Sequence, residues 1–446
     1  MAVWSTVNLS ALPEDKRLDA EYFQPIYIQA EREMSGLPHK LLQAIVSDIR
    51  YGLYLPPDYT EDGLVFVRGL NLCDNGIDGE LLRVPVKPGD VSEHYRLRSG
   101  DILISRSGNV GDVGIVDDDL SGATFGSYIL RIATKDYDPI ALYLFLKSRH
   151  GRLQISRLQT GGVQGNINIP NLRRLIVPLI PPNLTEKLNQ QYEKHCSARR
   201  RSQSEYAEAE ALLVSALGLD RLDLTLRLFC ERTYKDASAA GRLDAEYHNP
   251  RAQNLIAALS RDRRKIADVA KLALRRFRPV SGVEFQYIEI GDVGSSGTAE
   301  SSPVMGEEAP SRAQWVVRPG DVITTTVRPI RRLSAIVAED QAGFICSSGF
   351  AVLKPTDIEP ELLLVYLRLP LVCELLDLHT TASMYPAIST SDLMRIPVSL
   401  PDAPTRQKIV AAVRESFAAR REANRLLDGA KAMVEEAVLS AKPTNN

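Results

Sequence analysis

Five cysteines in 446 residues (Cys73, Cys196, Cys230, Cys346 and Cys373) are scattered, odd in number and without a C-x-x-C pair. A disulfide framework or thiolate metal site is therefore not expected, and reduced packing residues are. The six histidines lack H-x-x-x-H or H-E-x-x-H spacing, so no metal site is expected either. Net charge is only −2, which leaves no global signature for nucleic acid; such binding would rest on local patches. The opening "MAVWSTVNLSALPEDKR" has no basic start followed by an apolar core, so a secretory leader is not expected. The apolar run "ELLLVYLRLPLVCELLDL" (361 to 378) is broken by Glu, Arg and Asp, which argues against a membrane span. A cytoplasmic chain is the expectation.

Catalytic motifs are missing as well. "GNVGDVG" (108 to 114) has glycines three apart rather than G-x-G-x-x-G, and reads as a glycine-punctuated turn between strands. Neither a phosphate-gripping G-x-x-x-x-G-K-[ST] loop nor a G-x-S-x-G elbow occurs. The tetrad by which an amino-methyltransferase receives a flipped base appears only in reversed form, as "PPNL" (181 to 184).

What the sequence does contain, it contains twice. "RLDAEYFQP" (17 to 25) returns as "RLDAEYHNP" (242 to 250), 225 residues later (242 minus 17). "SGDILIS" (99 to 105) returns as "PGDVITT" (319 to 325), each a Gly-Asp turn into a buried strand. "ATKDYDPIALYLFLKS" (133 to 148) returns as "LKPTDIEPELLLVYLRL" (353 to 369), with an acid and a proline opening a helical pattern at Pro139 and Pro360. "INIPNLRRLIVPLIPP" (167 to 182) returns as "ISTSDLMRIPVSLP" (388 to 401). Four matches in one order imply an internal duplication. With 44% apolar and 25% charged residues, each half is expected to be a mixed α/β (α+β) globular domain followed by a long helix. The expected divisions are an opening segment (1–36), a first globular domain (37–182), a central helix (183–225), a second globular domain with its own opening segment (226–401), and a second long helix (402–446).

The two helical tails share a register. Leu188, Tyr192, Arg199, Tyr206 and Leu213 lie on a four-three seam, and adding 221 to each gives Ile409, Val413, Arg420, Leu427 and Val434. Two narrow apolar stripes predict an antiparallel coiled coil. At ~1.5 Å per residue such a helix is about 50 Å long, a ruler of about 15 base pairs.

Candidate nucleic-acid contacts lie in loops. From Arg261 to Arg332 there are 13 Lys or Arg against 9 Asp or Glu. Arg275, Arg276 and Arg278, with Arg328, Arg331 and Arg332, suit phosphates and the bidentate recognition of guanine. In the first half the corresponding loop offers Arg50, Tyr51 and Tyr54. "SRSGN" and "TGGVQGNIN" present Arg106, Ser107, Asn109, Gln164, Asn166 and Asn168, which could face adenine edges or phosphates or could simply make turns. Framework segments match between the halves whereas these loops do not, so one scaffold carries two different reading surfaces.

The duplicated openings, "LVFVRGLNL" (64 to 72), "SGDILISRSGNVGDVGIV" (99 to 116) and "TGGVQGNINIPNLRRLIVPLIPP" (160 to 182) resemble the specificity subunit of type I restriction-modification systems. The resemblance runs nearly the whole length. It implies two target recognition domains that each read half of a bipartite site in double-stranded DNA. It also implies a coiled coil that sets the spacing, two docked modification (methyltransferase) subunits, and restriction subunits that join them. No catalysis is implied for the chain itself; S-adenosylmethionine, ATP and magnesium would sit on the partners. The second copy departs from the first, with "TTTVRPIRRL" and "TTASMYPAIS", so contacts do not transfer between the halves; Ser383 and Tyr385 occupy the equivalent loop. The rival classes are a diverged methyltransferase or nuclease with its own activity, and a coiled-coil scaffold.

Overall fold

The computed structural model describes residues 5–7, 17–35, 37–55, 58–160, 165–294, 296–381 and 384–440. The chain divides into two compact units, one of residues 1–199 with 421–446 and the other of residues 200–420. Each long helix, Pro182–Leu217 and Ala403–Ser440, therefore contributes residues to both units.

The first unit is organised by an antiparallel sheet in the order Val46–Tyr51, Ile129–Thr134, Ile102–Ser105, Val113–Ile115. A smaller sheet pairs Leu64–Val67 antiparallel to Leu82–Val84 and parallel to Thr124–Phe125. The second unit repeats the same order with Ala270–Leu272, Phe350–Pro355, Val322–Thr325 and Ser334–Ile336. Its second sheet likewise pairs Glu284–Ile288 antiparallel to Ser302–Met305 and parallel to Ile345–Ser347, and adds Ala313–Val316 beyond.

The repeated Gly-Asp turns explain how the central strands begin. Gly100 (φ 86°) and Gly320 (φ 78°) occupy the left-handed region that a side chain disfavours. Asp101 and Asp321 then accept from the backbone N–H of Arg98 and Arg318, both at 2.8 Å, and close the turn. The strands that follow, Ile102–Ser105 and Val322–Thr325, are buried throughout. The helices expected after the acid-proline pairs start at Pro139 and Pro360, and Asp138 caps the first through Ala141 N at 2.8 Å. Both run almost wholly through the cores, from Ala141 to Lys147 and from Leu362 to Arg368; each buried leucine contributes about 1.5–3 kcal/mol.

Each of these helices ends on a buried cation that donates to backbone carbonyls. Lys147, 3% exposed, donates to the carbonyls of Cys73 (3.1 Å) and Val113 (3.2 Å). Burial pushes its ammonium down to about 8. Arg368, also 3% exposed, donates to the carbonyls of Arg332 (2.8 Å), Ser334 (3.1 Å) and Gly294 (3.4 Å). Adding 221 converts Lys147, Cys73 and Val113 into Arg368, Gly294 and Ser334, so the duplication kept the arrangement and changed the cation.

The repeated "RLDAEY" is a clip. Arg17 pairs with Asp19 at 2.5 Å, its guanidinium lies 4.9 Å over Tyr22, and Asp19 accepts from Tyr22 N at 3.0 Å. Arg242 pairs with Asp244 at 2.6 Å, lies 4.5 Å over Tyr247, and Asp244 accepts from Tyr247 N at 3.3 Å. Each arginine also donates to the carbonyl that ends a helix, Arg157 O at 3.4 Å or Leu378 O at 2.9 Å. The hydrogen bond from the arginine holds each aspartate below the usual carboxylate range.

The two long helices pack on each other. In the first unit Gln191 Nε2 donates to Leu426 O (3.5 Å) and His195 Nδ1 meets Ala423 O (2.8 Å), so the two helices run antiparallel. Leu188, Leu427, Ala430 and Val434 join the unit's main core. In the second unit Ser416 Oγ donates to Ser202 O at 2.7 Å, Arg201 pairs with Glu415 at 3.2 Å, and Leu213, Ile409 and Val413 are buried. Tyr192 packs edge-on to Tyr143 at 5.6 Å, and Tyr206 lies 5.6 Å from the Arg368 guanidinium. The arginine within the seam has a local reason in the first unit, where Arg199 donates to Ile77 O; Arg420, its counterpart, is half-buried.

Candidate nucleic-acid interface

The first unit assembles a site at the ends of its central strands. Tyr51 closes the strand Val46–Tyr51, and Arg106 directly follows Ile102–Ser105. Arg106 N donates to Tyr128 O at 2.9 Å, and Arg106 O accepts from Ile167 N at 3.2 Å. A one-pair bridge joins Ser107 to Asn166, and Asn166 exchanges both backbone bonds with Thr160 at 2.8 Å. The 106–109 loop is thereby tied to the loop that precedes the helix Ile169–Arg173.

The side chains follow from that backbone. The Arg106 guanidinium lies 4.5 Å over the Tyr51 ring, and its Nε and Nη2 both donate to Asn166 Oδ1 at 3.4 Å. Tyr51 Oη accepts from Ile169 N at 3.3 Å, which orients the ring. A half-buried arginine is thus held flat with one edge of its fork spoken for, the preorganised state that suits a planar acceptor. Asn168 is the N-cap of Ile169–Arg173, accepting from Asn171 N at 2.8 Å. Ser107 is half-buried, and Asn109 and Tyr54 (84% exposed) face solvent. Gln164 lies outside the described residues.

Arg50 is differently placed. It pairs with Asp48 at 3.1 Å, and Asp48 also takes Arg131 at 2.5 Å. Burial of Asp48 opposes ionisation, but the hydrogen bonds from Arg50 and Arg131 outweigh it and hold the carboxyl below the usual range.

The second unit builds the same backbone frame. Thr326 N donates to Gly349 O (2.8 Å), Thr326 O accepts from Ile388 N (2.9 Å), and a bridge joins Val327 to Ala387. Ala387 pairs in turn with Thr381. These are the bonds of Arg106, Ser107, Asn166 and Thr160 displaced by 220 or 221, with none of the four side chains kept except the Thr160 type. The arginine arrives two residues later. Arg328 N donates to Pro386 O (2.7 Å), its Nη2 donates to Met384 O (3.1 Å), and its guanidinium lies 5.2 Å from the exposed Tyr385 ring. Arg328 (φ 49°) and Arg332 (φ 60°) both adopt left-handed backbone around Pro329–Arg331, a cost of about 1–2 kcal/mol per residue that the surrounding bonds offset. Ser383 lies outside the described residues.

The remaining arginines divide by partner. Arg275 donates to Val316 O at 3.0 Å and pairs with the buried Asp321, and Arg332 pairs with Glu210 and donates to Arg368 O at 2.6 Å. Both are engaged within the framework. Arg276, Arg278 and Arg331 are exposed, and Arg276 lies 5.9 Å over Trp315. Sequence reasoning passed over Trp315, although it is one of only two tryptophans, and over the exposed Tyr128 (62%) and the pair in which Arg68 lies 5.6 Å over Tyr59. Among the described residues no group of three or more His, Cys, Asp or Glu could hold a metal ion, and no helix is long and apolar enough to cross a membrane.

Residues 88–192, which include the Arg106 and Asn166 loops, match the family model of the Type I restriction modification DNA specificity domain. A stretch of 140 residues is 26% identical to the Type I restriction enzyme EcoBI specificity subunit of Escherichia coli, covering 31% of this chain and 29% of that subunit's length. Among solved structures, the HsdS subunit from Thermoanaerobacter tengcongensis aligns over 91% of this chain and 97% of its own at 16% identity, TM-score 0.28. The S subunit of a type I restriction-modification system from M. genitalium aligns over 92% and 96% at 14% identity, TM-score 0.36. The resemblance to type I specificity subunits thus stands on the matched domain and on the curated relative. The sheet order of the first unit is repeated in residues 200–420.

Proposed function

We propose that this chain is the DNA-reading specificity subunit of a type I restriction-modification complex and works in the cytoplasm. Each unit reads one half of a bipartite site in duplex DNA. The chain docks two modification subunits, and restriction subunits join them; S-adenosylmethionine, ATP and magnesium belong to those partners, and the chain itself does no catalysis.

One observation carries this reading: two units hold the same loop-on-loop backbone frame and mount different cation-aromatic pairs on it, Arg106 on Tyr51 and Arg328 by Tyr385. A fixed guanidinium edge matches the O6 and N7 of guanine in the major groove, and such a contact discriminates by about 1–3 kcal/mol. The exposed Arg276, Arg278 and Arg331 are suited to phosphates, which set register without reading sequence. The deciding experiment maps adenine methylation in the host with and without the chain. A two-part motif that vanishes with the chain is expected; an unchanged methylation pattern would refute the reading.

A further inference from the structure

Asn166 ties the two loops of the first site together through its backbone, and its side chain carries a chemistry that this role does not use. An asparagine selects adenine by a paired contact, its oxygen accepting from N6 while its amide donates to N7. Here the oxygen is taken. Arg106 Nε and Nη2 both donate to Asn166 Oδ1 at 3.4 Å, so its two lone pairs face the arginine. The arginine cannot swing away freely, because its guanidinium lies 4.5 Å over the Tyr51 ring, whose hydroxyl oxygen accepts from Ile169 N. What remains is a row of donors: Nη1 and the outer N–H of Nη2 on Arg106, then the Nδ2 amide of Asn166, on two half-buried side chains. Among the described residues no hydrogen bond engages that amide. The row belongs to one unit. The position equivalent to Asn166 in the second bridge is Ala387, and Arg328 donates instead to a backbone carbonyl, Met384 O.

We propose that Asn166 determines specificity as a donor only, so that with Arg106 it reads two neighbouring acceptor edges on one DNA strand: guanine under the arginine and a keto base, guanine or thymine, under the amide. This rests on the proposed function and names the bases that the first half-site takes. The exclusion of the other two bases is chemical. N6 of adenine and N4 of cytosine are donors, and with Oδ1 held by the arginine the Asn166 side chain has nothing left to accept from them. A carboxylate at the same position inverts the row, since one oxygen keeps Arg106 and the other accepts where the amide donated.

Selection from a random duplex pool by the assembled complex, with Asn166→Asp and Asn166→Ala beside wild type, tests the proposal. Wild type should show a keto base next to a guanine, on the same strand, in one half-site. Asn166→Asp should shift that position on the order of tenfold toward cytosine or adenine, and Asn166→Ala should level it without reversal. Sequence preference is the readout, because a new carboxylate weakens binding to every duplex. The bonds between Asn166 and Thr160 use backbone atoms of Asn166, so both variants should melt as wild type does. Wild type that selects adenine or cytosine there, or Asn166→Asp with the wild-type preference, overturns the inference and leaves the proposed function standing. Variants that alter only the guanine position also overturn it, making Asn166 a positioning residue for Arg106. A wild-type complex that selects no two-part motif overturns both.

Discussion

In the first unit a loop bridge joins Ser107 to Asn166 and carries Arg106 on Tyr51; in the second the bridge joins Val327 to Ala387 and carries Arg328 beside Tyr385. The hydrogen bonds that hold both bridges are the same backbone bonds, while the side chains differ at nearly every position. Backbone groups must be paired whatever the sequence, so a duplicated frame survives side-chain change as long as strand ends and turns persist. Recognition depends on side chains, which are free to diverge once the frame is secured. The same division runs through the interiors. Lys147 became Arg368 (or the reverse) because both can donate to a cluster of carbonyls, yet only the lysine can lose its charge.

The comparison breaks most severely at the helix cores. Leu188→Ala and Leu213→Ala should each cost about 2–5 kcal/mol in chemical denaturation, with hydrogen exchange rising first in the unit that carries the substitution. A uniform rise through both units would show that they do not open separately.

The buried cations come next. Lys147→Met and Arg368→Met each strand buried carbonyls and should cost roughly 1–3 kcal/mol. Their pH dependence separates them. Lys147 titrates near 8 in the folded chain and near ~10.4 when unfolded, so between those values the unfolded state binds more protons and stability rises with pH. Lys147→Arg should abolish that rise in thermal melts, bringing the first unit to the behaviour of the second.

The smallest expected effect lies in the helix pair. Burial depresses the His195 imidazole, and its counterpart 221 residues on is Ser416. The unfolded chain takes up that proton first, so stability is lost as pH falls through ~6.5. His195→Ser should reduce the acid-side loss by a few tenths to ~1 kcal/mol, as seen in melts between pH 7 and 5.

Much of the fold was legible because duplication prints itself as identity. The Gly100 and Gly320 turns, the starts at Pro139 and Pro360, and the apolar positions at Leu188, Leu213, Ile409 and Val434 all rest on local chemistry that sequence spacing reports. The site was legible only as a set of loops. Nothing in the sequence near Arg275 or Arg332 tells that Asp321 and Glu210 will occupy them, because those partners are 46 and 122 residues away. Nor does the sequence bring Tyr51 under Arg106, a contact made by two strand ends 55 residues apart (106 minus 51). The "RLDAEY" motif shows the opposite limit: its repetition was visible at once, but only the structure sorts its residues into those that form the clip and those left facing outward.

The central proposal is that two equivalently framed loop pairs read two different half-sites. Selection of bound sequences from a random duplex pool, using the assembled complex with wild-type chain, Arg106→Ala or Arg328→Ala, tests it most directly. Arg106→Ala should relax one base position in one half-site by about 1–3 kcal/mol and leave the other half and the spacing unchanged, and Arg328→Ala should do the converse. A single substitution that alters both halves, or a pair of substitutions that alters neither, would contradict the account.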